Sequence, residues 1–195
     1  PSTALKIVEK YFSRIPAQKL TSPPITEEQR QSGERRVEVI FDAEPQMIIG
    51  YHKPPPPVFA DYIFDMIESI LTKGRTSRLF KTLVQEKGVA ETIQAANGRP
   101  GARYPNQFVI FATPRHPHTL GELEQAVYQE IERLQREPVS DSELEKVKNQ
   151  MRADFIRGLD SNAGLAKMLS YHEALLGDYR YLAEYTATID RITPD

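Results

Sequence analysis

Two histidines separated by a single residue are the first candidates for chemistry in this sequence. His116 and His118 would face the same side of a strand and could then bind one metal ion. A catalytic zinc ion needs at least a third protein ligand, and none stands at a telling spacing. Pro114 and Pro117 beside the pair indicate a solvated loop between a strand and a helix. We therefore interpret the pair as an exposed loop, with an independent metal site as the alternative.

The remaining two histidines carry weaker signals. His172 lies on the same helical stripe as Leu165 and Leu169, which predicts a packed histidine of the core or of an interface. His52 ends a predicted strand and could serve as a base, but no acid stands near it in the sequence. We predict that it packs as well.

Motifs for nucleophilic or phosphate chemistry are missing from the sequence. There are no cysteines, which excludes disulfides, thiolate nucleophiles and Cys-based zinc sites. The segment from Lys73 to Arg78 suggests an anion site at a helix start, but it lacks the preceding glycines of a phosphate loop, so we interpret it as a connector between helices. The acid pairs Glu122/Glu124 and Glu143/Glu145 fall on helix-capping turns, where they predict helix-dipole and solvation charges. The residue types alone therefore predict no active site.

Composition narrows the class of protein. The 195 residues are 39% hydrophobic and 27% charged with a net charge of −2, which is typical of a globular domain and excludes disorder or a basic nucleic-acid surface. No apolar run approaches the ~18 residues that a membrane span needs. We expect a soluble protein, of a bacterial cytoplasm or periplasm, and the sequence leaves the compartment open.

The elements that would position these residues follow the order helix, long linker, two strands, two helices, two strands and four helices. Two antiparallel strand pairs with the helices grouped apart predict an α+β fold, in which an antiparallel sheet is packed by segregated helices. Thr119 with Glu122 and Ser140 with Glu143 have the spacing of capping boxes. The predicted strands are Arg35–Asp42, Met47–His52, Val89–Ala96 and Phe108–Thr113, and the predicted helices are 1–12, Asp61–Leu71, Thr76–Glu86, 119–136, 140–159, Asn162–Leu176 and Tyr179–Ile192.

The two ends predict a piece cut from a longer protein. Pro1 stands where a helix would begin, without a capping residue before it, and Thr193-Pro194-Asp195 has the pattern of another helix start. We expect one α+β domain over residues 1–195, with a junction helix at 1–16, a linker at 17–34 and a core at 35–195.

One ordered string resembles the hallmark segment of a known family. It runs Lys73-Gly74-Arg75-Thr76-Ser77-Arg78-Leu79-Phe80-Lys81-Thr82-Leu83-Val84-Gln85-Glu86-Lys87-Gly88-Val89-Ala90. The segments 7–16, 138–150, 177–179 and 192–195 fit the same family in the right order. The chain thus resembles the pitrilysin/insulinase-type zinc metallopeptidases, which include the mitochondrial processing peptidases and the core proteins of the cytochrome bc1 complex.

The resemblance implies a role without a metal in this chain. Each half of a family member has two similar α+β subdomains, and the first carries the zinc site, an inverted His-x-x-Glu-His with a downstream Glu. This chain resembles the second subdomain, and that motif does not occur in it. Zinc is therefore expected upstream of Pro1 if the parent is active, with no cofactor in this chain and no activity in the chain alone.

Substrate contacts are also implied by the resemblance. In some members the half without zinc supplies an Arg and a Tyr to the substrate carbonyl, and here Arg103 and Tyr104, in the hairpin that starts at Arg99, are the candidates. The alternative for these residues is a solvated hairpin tip. Expected partners are the preceding subdomain, a second half or subunit, and an extended peptide; the face left by the missing subdomain would also pair with a second copy.

Two hypotheses for the function of the parent protein remain open. In the first, the chain is the non-zinc-binding C-terminal subdomain of a zinc peptidase, and it helps to form the chamber that holds the peptide. In the second, the parent is a catalytically dead structural or partner subunit of the same family. Only the upstream sequence separates them.

Overall fold

The fold is described from a computed structural model, which describes residues 2–19, 25 and 28–194. Its elements in chain order are α1 (Ser2–Phe12), β1 (Met47–Lys53), α2 (Phe59–Thr72), a π-helix (Phe80–Glu86), β2 (Ala90–Arg99), β3 (Asn106–Pro114), α3 (Leu120–Arg136), α4 (Asp141–Leu159), α5 (Asn162–Leu176) and α6 (Tyr181–Asp190). The chain divides into two units, residues 1–41 and 42–195.

The second unit is built on a three-stranded antiparallel sheet in the order β1-β3-β2. The central strand β3 pairs along its length with β1, where Ile49 lies opposite Ile110, and with β2, where Ala95 lies opposite the same residue. Five helices and the π-helix accompany this sheet in the described part of the unit. The predicted α+β class, with an antiparallel sheet and segregated helices, is confirmed.

Two apolar clusters hold the second unit together, and α2 contributes to both. The first joins the sheet to α2, α3 and the π-helix region, where Leu79 and Leu83 are completely buried. The second joins α2 to α4 and α6 through Met66, Met151 and Ile189. Because each fully buried aliphatic side chain stabilises the fold by roughly 1.5–3 kcal/mol, these contacts fix the position of α2.

Helix capping follows the sequence signals closely. The Thr119 hydroxyl accepts from the Glu122 N–H and the Glu122 side chain accepts from the Thr119 N–H, so this capping box is complete. Ser140 caps α4 by accepting from the Glu143 N–H. The Glu143 carboxylate does not complete the capping box, because it accepts from Arg78 instead. Helix α5 ends at Gly177, whose φ of +72° is the left-handed conformation that favours glycine.

One predicted strand is wrong. Residues 35–41 form no strand, and Val37, Val39 and Phe41 are 80% or more exposed. Alternating apolar residues indicate which side of a strand would be buried, but a strand also needs a partner for its backbone N–H and C=O groups. No described strand pairs with this segment.

A helix lies within the range predicted at Thr76–Glu86, and most of it is a π-helix, a type that the sequence pattern does not specify. Residues Phe80–Glu86 form a π-helix, in which the Lys87 N–H donates to the carbonyl of Thr82 at 2.8 Å. The pattern could not distinguish the two helix types, because a spacing of four between buried leucines suits either. The helix starts predicted at the two ends involve Pro1 and Asp195, which lie outside the described residues.

Candidate functional site

The two sequence-predicted site residues lie at the tip of the β2–β3 hairpin. Arg99 ends β2 opposite Gln107, and the tip spans residues 100–105. Arg103 and Tyr104 are both exposed, and the Asn106 side-chain amide donates to the Tyr104 carbonyl at 2.9 Å. Arg103 and Tyr104 are thus adjacent at the tip of the hairpin, and both are exposed to solvent.

The base of this hairpin is tied to helix α2 by one asparagine. The Asn97 side-chain amide donates to Asp65 Oδ1 at 2.7 Å and to Asp61 Oδ1 at 3.1 Å. The Asn97 backbone N–H donates to Glu68 Oε2 at 2.8 Å. Hydrogen bonds to ionised carboxylates are stronger than hydrogen bonds between neutral groups, so these contacts anchor the hairpin base to one face of α2.

A buried lysine neutralises one of these carboxylates. The Lys53 ammonium forms an ion pair with Asp61, and the Lys53 side chain is 0% exposed. It also donates to the Pro54 carbonyl at 3.0 Å and lies 5.7 Å from the Phe64 ring centroid. In the described part of the chain, Asp65 has no such ion-pair partner within 4.0 Å.

Burial raises the pKa of Asp65 to about 6. Removal from water is the largest cause, and the negative charges of Asp61 and Glu68 add to it, whereas the hydrogen bond from Asn97 and the positive charge of Lys53 oppose it. At neutral pH the side chain is therefore a mostly ionised carboxylate in a poorly solvated place. Such a group is a common feature of functional sites.

Asp65 lies between two adjoining cavities of about 260 Å³ and about 170 Å³. Asp65, His172 and Tyr185 line both of them, and we call the combined space the Asp65 cleft. The Tyr185 ring stacks on Phe155 with centroids 4.7 Å apart, and Tyr62 lies 6.0 Å away. Burial and the Asp65 charge both raise the Tyr185 pKa, so its phenol stays protonated.

Helix α5 forms the outer wall of the cleft and carries no fully buried residue. Its His172 is half-buried, in agreement with the predicted packing. The His172 Nδ1 lies 2.8 Å from the Met168 carbonyl oxygen. Because a carbonyl only accepts, Nδ1 must carry the proton, and Nε2 is then the acceptor in the neutral ring.

The other histidines lie elsewhere. His52 is exposed near the end of the edge strand β1, so the prediction that it packs is wrong. His116 is exposed and His118 Nδ1 lies 3.6 Å from Glu122 Oε2, which confirms the loop interpretation. Within residues 2–19, 25 and 28–194 no group of three or more histidines, aspartates or glutamates is arranged to hold a metal ion.

The connector after α2 positions a charged pair. Arg78 donates twice to Glu143, at 3.1 and 2.8 Å, and this contact holds the Glu143 pKa below its usual range. Glu143 lies in the first turn of α4, as predicted, and it is also an ion-pair partner across 65 residues of sequence, which was not predicted. The spacing of Ser140 and Glu143 describes only local contacts, so it could not indicate a partner as distant in sequence as Arg78.

Sequence reasoning missed the Asn97 network. A partial signal existed, because Asp61, Asp65 and Glu68 stand four and three residues apart and so share one helix face. The missing information was Asn97 itself, which reaches Asp61 only through the packing of the hairpin on α2, across 36 residues of sequence.

The chain is similar to a known peptidase family and to a curated protease. The family described as Peptidase M16 inactive domain matches residues 1–151. The zinc protease PqqE of Helicobacter pylori is 25% identical over 185 residues, which are 92% of this chain and 41% of that protein. The chain thus spans about two fifths of this curated relative.

Solved structures share the fold. A protease from Helicobacter pylori superposes with a TM-score of 0.89 over 99% of this chain and 47% of its own, at 21% identity. A peptidase M16 inactive domain from Pseudomonas fluorescens superposes with a TM-score of 0.62 over 76% of this chain and 35% of its own, at 17% identity. In the described part of this chain, no helix is both long and apolar enough to cross a membrane.

Proposed function

Because the chain belongs to the family of peptidase M16 inactive domains, we propose that it is the C-terminal, non-zinc-binding subdomain of a zinc metallopeptidase. In this role it helps to form the chamber that holds an extended peptide for hydrolysis. The observation that carries the proposal is the family match over residues 1–151. We further propose residues 1–195 as one subdomain of its parent, with the zinc ion held by the preceding subdomain.

The exposed surface of the described residues within 2–41 supports a partner in the parent. Helix α1 buries none of its residues, although Leu5, Val8 and Phe12 lie on one side of it. Residues 37–41 carry four exposed apolar side chains and pair with no described strand, so this segment is a candidate for strand pairing with a partner. A preceding subdomain that packs on α1 and pairs with this segment would cover both surfaces. In the isolated chain, the same surfaces would support association with a second copy.

The sequence of the parent gene for about two hundred codons upstream of Pro1 tests the assignment of zinc (an upstream subdomain of about this chain's own size is expected). His-x-x-Glu-His with a later Glu is the expected finding. The same fold without that motif would replace the proposal by its alternative, a structural or partner subunit of the family.

For the alternative, in which the parent is the subunit without zinc, Arg103 and Tyr104 are proposed as its substrate-stabilising residues in the assembled peptidase. Their support is their exposure at the end of a hairpin whose base is anchored through Asn97. A guanidinium and a phenol could donate to the oxygen that becomes negative during amide hydrolysis.

In the complete parent enzyme with its partner, we expect R103A and Y104F each to lower kcat by about tenfold or more, since loss of one such donor costs that much or more. The matched control is R75A, which removes an exposed arginine from the connector before the π-helix. A kcat equal to that of the R75A variant would reject the assignment and favour a solvated tip.

A further inference from the structure

We propose that the Asp65 cleft binds a primary alkylammonium group, presented by a free amine or by a lysine side chain. This inference does not depend on the proposed peptidase role. Its basis is the combination of a cavity, aromatic walls and a carboxylate without a cation, which come from different elements of the second unit.

The smaller cavity has the lining that an organic cation prefers. Three tyrosines contribute to its wall: Tyr62 from α2, Tyr171 from α5 and Tyr185 from α6. Aromatic faces attract cations, and the attraction grows when the cation is removed from water. Leu175 and Leu176 add apolar surface that suits the methylene chain of an alkylamine. Tyr171 is 51% exposed and leaves the wall open to solvent.

The charges in the smaller cavity leave one carboxylate unmatched. Asp61 is already paired with Lys53, whereas Asp65 accepts only the neutral amide of Asn97. Lys73 lines only the larger cavity, where it is paired with Asp154 at 2.9 Å. Asp61 and Asp65 carry two negative charges against the single positive charge of Lys53, so a positive group that enters the smaller cavity meets a net negative charge and would relieve the unfavourable burial that raises the Asp65 pKa.

The hydrogen-bonding groups match an ammonium group better than a neutral ligand. Within the described residues, Asp65 Oδ2 and His172 Nε2 receive no hydrogen bond, and both residues line the smaller cavity. An ammonium group offers three donors and no acceptor. A neutral alcohol of the same length offers one donor and no charge, so it provides a matched comparison.

The test uses the 195-residue chain and two pairs of ligands. The first pair is n-pentylamine and 1-pentanol, and the second is N-acetyl-lysine methylamide and N-acetyl-norleucine methylamide. Titration calorimetry and NMR shifts of labelled tyrosine rings report binding up to about 10 mM. Each amine is expected to bind, and its neutral partner is not. If pentylamine alone binds, the ligand is a free amine; if both amines bind, a lysine side chain is accepted too.

Two variants locate the site. D65N is expected to weaken amine binding by about tenfold or more, because it removes the buried charge that the ammonium meets. Y171A, a change at a residue that is 51% exposed, should weaken binding by about threefold. The control D160N changes an exposed aspartate at the end of α4 and should leave binding unchanged. Absence of binding by both amines, equal binding of the neutral partners, or unchanged affinity in D65N would overturn the proposal.

Discussion

The two units of this chain use the same kind of sequence pattern with opposite results. In residues 2–41 apolar residues recur at helical and strand spacing, yet every described residue there is exposed. In residues 42–195 similar patterns produce two buried clusters and a paired sheet. An amphipathic pattern therefore specifies a face, and stability comes only from what covers that face.

The largest expected difference between the units concerns apolar side chains. L79A should lower the free energy of unfolding by about 3 kcal/mol, because it opens a cavity at a fully buried position. The matched change L5A, in exposed helix α1, should alter it by less than about 0.5 kcal/mol. Urea unfolding at low protein concentration measures both. A loss in L5A as large as that in L79A would show that α1 is buried after all.

A second, smaller difference concerns carboxylates. The Asp65 pKa is about 6 in the folded chain and near its ordinary value of 3.8 in the unfolded chain. Between these values the folded chain binds more protons, so its stability falls as the pH rises from about 4 to about 6. D65N removes this loss and should raise the free energy of unfolding at pH 7 by about 2 kcal/mol, with little effect at pH 4.

The control for this carboxylate is E38Q, which makes the matching change at an exposed position of the first unit. Urea unfolding of both variants across pH 4 to 7 checks the prediction. A stabilisation of D65N that does not vary with pH, or an equal effect of E38Q, would contradict the assigned burial of Asp65.

The smallest expected difference concerns helix starts. T119A removes the hydroxyl of a complete capping box and should lower the free energy of unfolding by about 1 kcal/mol. T3A, in the first turn of α1, should have almost no effect on the unfolding of the second unit. Thermal unfolding of the two variants measures this difference in stability. Equal shifts in Tm for T119A and T3A would contradict the prediction.

Local signals predicted the second unit well because they describe interactions within a few residues. The range of α5, the Gly177 terminus and the capping box at Thr119 all depend on such neighbours. The segment 35–41 was predicted wrongly because the existence of a pairing partner is not a local property. The Asn97 network and the Arg78–Glu143 pair were missed for a related reason, since their members are distant in sequence and meet only in the folded chain.

Zinc content and peptide hydrolysis of the 195-residue chain, alone and after mixing with the upstream part of its parent, test the proposed role most directly. As the non-catalytic subdomain of a zinc peptidase, the chain alone should bind no stoichiometric zinc and cleave no fluorogenic peptide. The mixture should hydrolyse the peptide with one zinc per complex, carried by the upstream part. Stoichiometric zinc with turnover in the chain alone would contradict the proposal that this subdomain is non-catalytic.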